Sequence, residues 1–442
     1  MRQLLRTLTT ATFAMCMGLP AIAADLPAST AAPIQHVGWS HNANIYEVNI
    51  RQYTPEGTFK AFIPHLQRLK TMGVDILWLM PIQPIGEKNR KGTLGSYYAV
   101  RDYTAVNPEF GTLADFKELV QQAHALGMHV LIDWVANHTA FDNRWTLEHK
   151  DWYLHDAKGE IFPVTYTEGG HTQHWDDVTA LDYNNKGLWK GMTDAMLFWV
   201  RETDIDGFRC DVAGNVPTPF WNQARDALDR VKPVFMLAEA DKPDLQEHAF
   251  DMSYGWDTLV IFKDIAKGKA DARTLQAFLE HPPKAFPPGA YRMRFTTNHD
   301  ENSSSGSDKE LYGPAFKAMA VLAATLPGMP LIYGGQESGL DKRLQFFEKD
   351  PIAWKNYEYA PFYAGLLKLK HDNPALWNGQ YGGKVEVLAS GNDKVFAFRR
   401  ARDGKAVTVT VNLSGEAQRY ALPGQAAENL AGWDYRISAA AR

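Results

Sequence analysis

Cysteine is almost absent from this chain of 442 residues, which has only two. Cys16 lies in the extreme N-terminal segment and Cys210 stands alone downstream. If that segment is removed, no intrachain disulfide can form, and stability must come from packing. A basic surplus is missing too. The formal net charge is −5, with no long Lys/Arg run, which excludes the electrostatic footprint of a nucleic-acid binder. No apolar run reaches the roughly 20 residues of a membrane-spanning helix. The best approach, from about Leu8 to Leu19, follows Arg2 and Arg6 and leads into Pro20 and the small residues Ala21 to Ala24. That layout reads as a secretory signal over residues 1–24, cleaved after Ala23 or Ala24. The expectation is an exported protein, periplasmic or extracellular, with no membrane attachment after cleavage. HxxxH and HxH spacings are also lacking, which argues against a zinc or magnesium centre built on His138, His299 and nearby aspartates.

What is present is ordinary globular material, 45% hydrophobic and 22% charged, with a high aromatic share of 12%. Aromatic rings serve cores, and their flat faces also suit sugars. Short apolar runs alternate with helical stretches: "NIYEVNI" (44–50), "DILWLMP" (75–81), "HVLIDWV" (129–135), "GFRCDV" (207–212), "VFMLAEA" (234–240), "MRFTTNH" (293–299) and "PLIYGGQE" (330–337). A weaker run lies at "FDMSYGW" (250–256). Eight such strands separated by helices predict an α/β fold, a (β/α)₈ TIM barrel. Between strands three and four lies a stretch too long for a simple helical crossover, so residues 139–185 are expected to form an inserted lobe. The barrel then occupies 25–138 and 186–380. From 381 to 442 alternating runs with turn signals and no helical period predict a C-terminal antiparallel β domain.

Barrels of this kind carry their chemistry at the C-terminal ends of the strands. Polar residues cluster there: Asp133 to His138 after strand three, Arg209 and Asp211 on strand four, Glu239 after strand five, and Asn298-His299-Asp300 after strand seven. Residues i and i+2 of a strand share a face, so Arg209 and Asp211 point the same way. Taken alone, this pair is as consistent with a structural ion pair as with catalysis. Several carboxylates, an arginine and two histidines on one rim suit a bond that is protonated on one side and attacked on the other, as in glycoside hydrolysis.

The segments "DWVANH" (133–138), "GFRCD" (207–211), "LAEA" (237–240) and "FTTNHD" (295–300) resemble, in order, the four motifs of the α-amylase family, glycoside hydrolase family thirteen. "YYAVRDYTAVNPEFGT" (97–112) and "LPGMPLIYGGQE" (326–337) are similar to its linking segments. The resemblance implies retaining hydrolysis of α-1,4-glucans, starch or maltooligosaccharides, with Asp211 as nucleophile, Glu239 as general acid/base and Asp300 stabilising the distorted sugar. It implies that Tyr98, His138, Arg209 and His299 line the same subsite, and that Asp341 or Arg343 reaches the next sugar. Exo-acting α-glucosidases and glucosyl transferases share the four motifs, and a glucan-binding protein without catalysis is a further reading. No cofactor is required for the chemistry. Asn137 matches the family's first calcium ligand, with Asp176, Asp177 or Asp182 as local candidates to complete a structural calcium site, although the usual Asp position falls on Ala180. The family's Lys-His pair after the second motif is replaced by Gly214 and Asn215. A monomer is expected, with the glucan as its partner.

Overall fold

The structure is a computed structural model that describes residues 35–168 and 171–441; the expected signal at 1–24 lies outside the described residues. Eight strands close a parallel barrel: β1 (Ile45–Val48), β2 (Ile76–Leu79), β3 (His129–Val135), β4 (Gly207–Asp211), β5 (Phe235–Ala238), β6 (Met252–Tyr254), β7 (Tyr291–Arg294) and β8 (Met329–Tyr333). Each pairs with its neighbours in sequence, and β1 pairs with β8 to close the ring. The eight strands foreseen from the apolar runs are all present, including the weak sixth.

Alternation along each strand divides the core in two. Inward-facing Ile45, Trp78, Leu131, Leu237, Tyr254 and Met293 fill the barrel interior, while outward-facing residues such as Phe208 and Cys210 pack against the surrounding helices. Gly207 shows why β4 begins as it does: a Cβ there would lie 1.9 Å from the Phe235 carbonyl oxygen, so β4 and β5 approach this closely only with glycine at the position. The helix Leu113–Ala125, which leads into β3, starts at a capping box. The Thr112 hydroxyl accepts from the Asp115 amide and the Asp115 carboxylate accepts from the Thr112 amide, satisfying two amides that the first turn leaves free.

The seventh strand is shorter than its apolar run suggests and stops at Arg294. Tyr312 donates to the Thr296 carbonyl at 2.6 Å and Gln336 donates to the Thr296 hydroxyl at 2.9 Å. Those bonds take over from the sheet ladder, so Asn298 lies beyond the strand and His299 and Asp300 open the helical turn that continues through Glu301–Ser305. After β3 comes a three-stranded antiparallel sheet of His138–Ala140, Pro163–Glu168 and His171–Ala180, ordered with the last strand in the middle. The chain returns to the barrel through helix Lys186–Thr203.

The C-terminal part forms a four-stranded antiparallel sheet, in the order Val385–Leu388, Val395–Arg402, Lys405–Asn412 and Tyr435–Ala441, with a two-stranded ribbon beside it. Phe396, Phe398, Val407 and Val409 pack on Ala318, Val321 and Leu322 of helix Phe316–Thr325. Fully buried Arg400 fixes the junction by donating to the carbonyls of Thr325, Gly383 and Trp377. No helix among the described residues is long and apolar enough to cross a membrane.

Candidate active site

A cleft of about 990 Å³ opens over the C-terminal ends of the strands, lined among others by Tyr98, His138, Asp211, Glu239, His299 and Asp300. Its floor is organised by one cation. Arg209, fully buried, contacts Asp133 Oδ1 at 2.9 Å and Asp211 Oδ1 at 3.0 Å through Nη1, and Glu239 Oε1 at 2.9 Å through Nη2. Its Nε donates to the Tyr254 hydroxyl at 3.1 Å, and the guanidinium carbon lies 5.0 Å from the centre of the Trp78 ring. The i, i+2 geometry of β4 thus delivers guanidinium and carboxylate to one place, and β3 and β5 each supply a further carboxylate. A buried arginine with planar, forked donors can hold three acids at once where a lysine cannot.

The two carboxylates that face the cleft differ from the one beneath. Asp133 is sealed in, accepting from Trp78 Nε1 and from the Tyr98 hydroxyl, each at 3.1 Å. Burial pushes it up to about 6, against the pull of Arg209. Asp211 is raised well above the ordinary range, first by burial and then by the neighbouring Glu239 charge, with Arg209 opposing both. Glu239 keeps 15% of its side chain open to the cleft and accepts the backbone N–H of Val212 at 2.8 Å. Val212 holds a φ of +42°, strained for a β-branched residue, and that turn aims its amide at Glu239.

The two histidines are held in opposite states. His299 donates from Nδ1 to Glu47 on β1, while its Nε2 lies 2.7 Å from the Tyr98 hydroxyl and 3.2 Å from Asp300 Oδ2. Burial alone would lower its pKa, but the Asp300 and Glu47 charges outweigh that and raise it well above the usual value. The same pairing leaves Asp300 below the usual range despite the raising effect of the surrounding protein, and 53% of its side chain faces the open cleft. His138 is buried with its Nε2 4.0 Å from Asp211 Oδ2. Burial pulls it down to about 4, so it is a neutral imidazole at pH 7, with the Asn137 amide donating to its Nδ1 at 3.1 Å.

Asp341 and Arg343 do not join this group. Neither lines the cleft: Asp341 pairs with Lys355 at 2.9 Å and Arg343 with Glu310 at 3.1 Å. The same loop instead sends Phe346 into the cleft, stacked on Tyr98 with ring centres 6.1 Å apart. Sequence reading also missed Glu47, Phe346, Lys242 and the lobe residues Tyr166 and Trp175; the aromatic richness of the lobe and of "QFFEKD" was the only available signal.

Of the acidic side chains proposed to complete a calcium site with Asn137, Asp177 and Asp182 are engaged by protein groups. Its amide nitrogen bonds His138, Asp182 accepts from the backbone and side chain of Asn184, and Asp177 is paired at 2.9 Å with Lys91. Among the described residues no group of three or more His, Cys, Asp or Glu could hold a metal. Calcium wants six to eight oxygens, and a lysine already neutralises the buried candidate.

The "Alpha amylase, catalytic domain" family model matches residues 32–373. The chain belongs to the α-amylase family. Among curated proteins it is similar to the α-amylase MalA of Haloarcula japonica, 28% identical over 96% of this chain and 63% of that protein. The chain therefore spans less than two thirds of that relative's length. Among solved structures this α-amylase-family chain resembles an α-amylase from Lactobacillus plantarum, 32% identical, with a TM-score of 0.81 covering 91% of this chain and 99% of the other. It also resembles a maltogenic α-amylase, AmyB, from Thermotoga neapolitana, 31% identical with a TM-score of 0.78, covering 90% and 96%.

Proposed function

We propose that this α-amylase-family enzyme is a retaining hydrolase of α-1,4-glucans, acting on starch and maltooligosaccharides as an exported monomer that needs no cofactor. One observation carries the reading: Asp211 and Glu239 both face the cleft while held by the two terminal nitrogens of one guanidinium. Bridging by a single side chain favours the short carboxyl separation of retaining enzymes, about 5 to 5.5 Å, over the wider gap that an inverting water needs.

In this reading Asp211 Oδ2, the oxygen not bound by Arg209, attacks the anomeric carbon as Glu239 donates its proton to the departing glycosidic oxygen. The C–O bond to the leaving sugar breaks as the bond to Asp211 forms. Water then attacks the glycosyl-enzyme, and Glu239, now a carboxylate, takes the water's proton and restores the starting state. Asp300, ionised against His299, faces the sugar ring where positive charge develops. Neutral His138 beside Asp211 can donate a hydrogen bond to substrate oxygen without adding charge.

Soluble starch and maltotetraose, given in parallel and resolved by chromatography over time, test the reading. Early mixed oligosaccharides from starch are expected. Glucose alone, or chains longer than the tetramer supplied, would move the assignment to an exo-glucosidase or a transferase; no product from either substrate would refute it.

A further inference from the structure

The cleft is lined by four lysines, and three of them are neutralised. Lys91 pairs with Asp177 at 2.9 Å, Lys263 pairs with Glu301, and Lys284 pairs with Asp241 at 2.6 Å. Lys242 differs. Among the described residues no carboxylate lies within ion-pair reach of it, and the contact its ammonium makes is to the carbonyl oxygen of Gly214. It is exposed and stands three residues beyond Glu239, on the rim from which the leaving oxygen departs in the proposed reaction.

The stem of Lys242 runs within van der Waals reach of Gly214. A Cβ on Gly214 would sit 3.4 Å from Lys242 Cε and 3.5 Å from Ala240 Cβ. The lysine therefore lies across the short helical turn Ala213–Asn215 that follows Asp211, anchored by one N–H, with two N–H donors left for a ligand. A cation tied to a carbonyl keeps its charge, and hydrogen bonds from charged donors are worth more than neutral ones.

We propose that Lys242 binds the sugar on the leaving-group side of the cleft and sets the preference for oligosaccharide over small leaving groups. The ligand is a neutral sugar hydroxyl rather than an anion, because carboxylates outnumber lysines along this cleft and would repel a phosphate or a uronic acid. The proposal rests on the hydrolase reading above.

The test compares maltotetraose, which places sugars on the leaving-group side, with α-maltosyl fluoride, which leaves as fluoride and places none there. Lys242→Met keeps an apolar stem over Gly214 and removes only the ammonium; Lys242→Ala removes both. Both variants are expected to lose about tenfold or more in kcat/KM for maltotetraose, mainly through KM, and to stay within about twofold for the fluoride. Equal loss on both substrates, loss on neither, or loss confined to the alanine variant overturns the proposal. A parent enzyme inactive on both substrates refutes the hydrolase reading, and the proposal with it; activity on the fluoride together with an unchanged Lys242→Met variant on maltotetraose refutes the proposal alone.

Discussion

The backbone N–H of Val212 meets Glu239 Oε2 at 2.8 Å, so the residue after Asp211 is bonded to the carboxyl group that ends the next strand. From beneath, Arg209 hydrogen-bonds Asp211 and ion-pairs with Glu239. Together these contacts fix Asp211 and Glu239 relative to each other without using the oxygen of Asp211 that faces the cleft.

Neutral isosteres at these positions should separate chemistry from fold. Asp211→Asn is expected to remove nearly all turnover of maltotetraose, and Glu239→Gln to lower it by about 10²- to 10⁴-fold, the usual span for a lost general acid. Each removes a charge from a crowded acidic cluster, so neither should lower the melting temperature. Steady-state rates with circular dichroism check this; comparable activity in either variant would refute the assigned roles.

Asp211 must be ionised to attack, and burial with the Glu239 charge raises its pKa. Activity should therefore be lost as pH falls through a value above the usual aspartate range of about 3.9. Glu239→Gln removes one raising charge, so the acid limb for α-maltosyl fluoride, which needs no general acid to leave, should move to lower pH. Arg209→Lys gives up the forked contacts that favour the charged form and should move the limb to higher pH. Profiles of kcat/KM against pH that shift the other way would contradict this electrostatic account.

On the loop after β8, Asp341→Ala and Arg343→Ala are expected to leave kcat/KM for maltotetraose within about twofold, because Lys355 and Glu310 already occupy these side chains outside the cleft. Exposed pairs of this kind contribute little to stability, about 0 to 1 kcal/mol. Phe346→Ala, which removes the ring stacked on Tyr98, should instead raise KM several-fold. Parallel kinetics on the three variants decide which part of the loop meets substrate.

That contrast marks where sequence reasoning ends. The barrel was legible because strand and helix periods are local, and Arg209 with Asp211 was legible because an i, i+2 relation on a strand fixes direction. Tyr98, His138, His299 and Asp300 do gather on the same cleft, as the motif resemblance implied. Glu47 was not legible as the partner of His299, since 252 residues separate them and only barrel closure brings β1 beside β8. Lys242 over Gly214 and Phe346 beside Tyr98 depend on how long loops cross the rim, which no period encodes. Asp341 and Arg343 were misplaced for the same reason: their ion partners lie elsewhere in the chain.

Chelation should change nothing measurable. With Lys91 on Asp177 and no acidic cluster among the described residues, the melting temperature with excess EDTA is expected to match that with added calcium. A calcium-dependent rise of several degrees would show a site that these contacts do not predict.

His138 should make stability depend on pH in a definite direction. Its folded pKa lies near 4, below the value of about 6.5 for an unfolded chain. The unfolded state therefore binds the proton first, and the stabilisation present above about pH 6.5 is lost as pH falls toward 4. A gap of this size amounts to about 3 kcal/mol in full. Asp133 and Asp211 act in the opposite sense, because their raised folded pKa values favour the folded state on acidification, so the total profile mixes both. His138→Gln keeps a polar side chain but does not titrate, and the aspartates are common to both proteins. The difference in unfolding free energy between parent and variant, measured by denaturant titration at pH 7 and at pH 4.5, should shrink in favour of the variant by about 2 to 3 kcal/mol at the lower pH. A difference that stays constant across that window would mean that His138 titrates alike in the folded enzyme and the unfolded chain, and would overturn the account of burial depressing the imidazole beside Asp211.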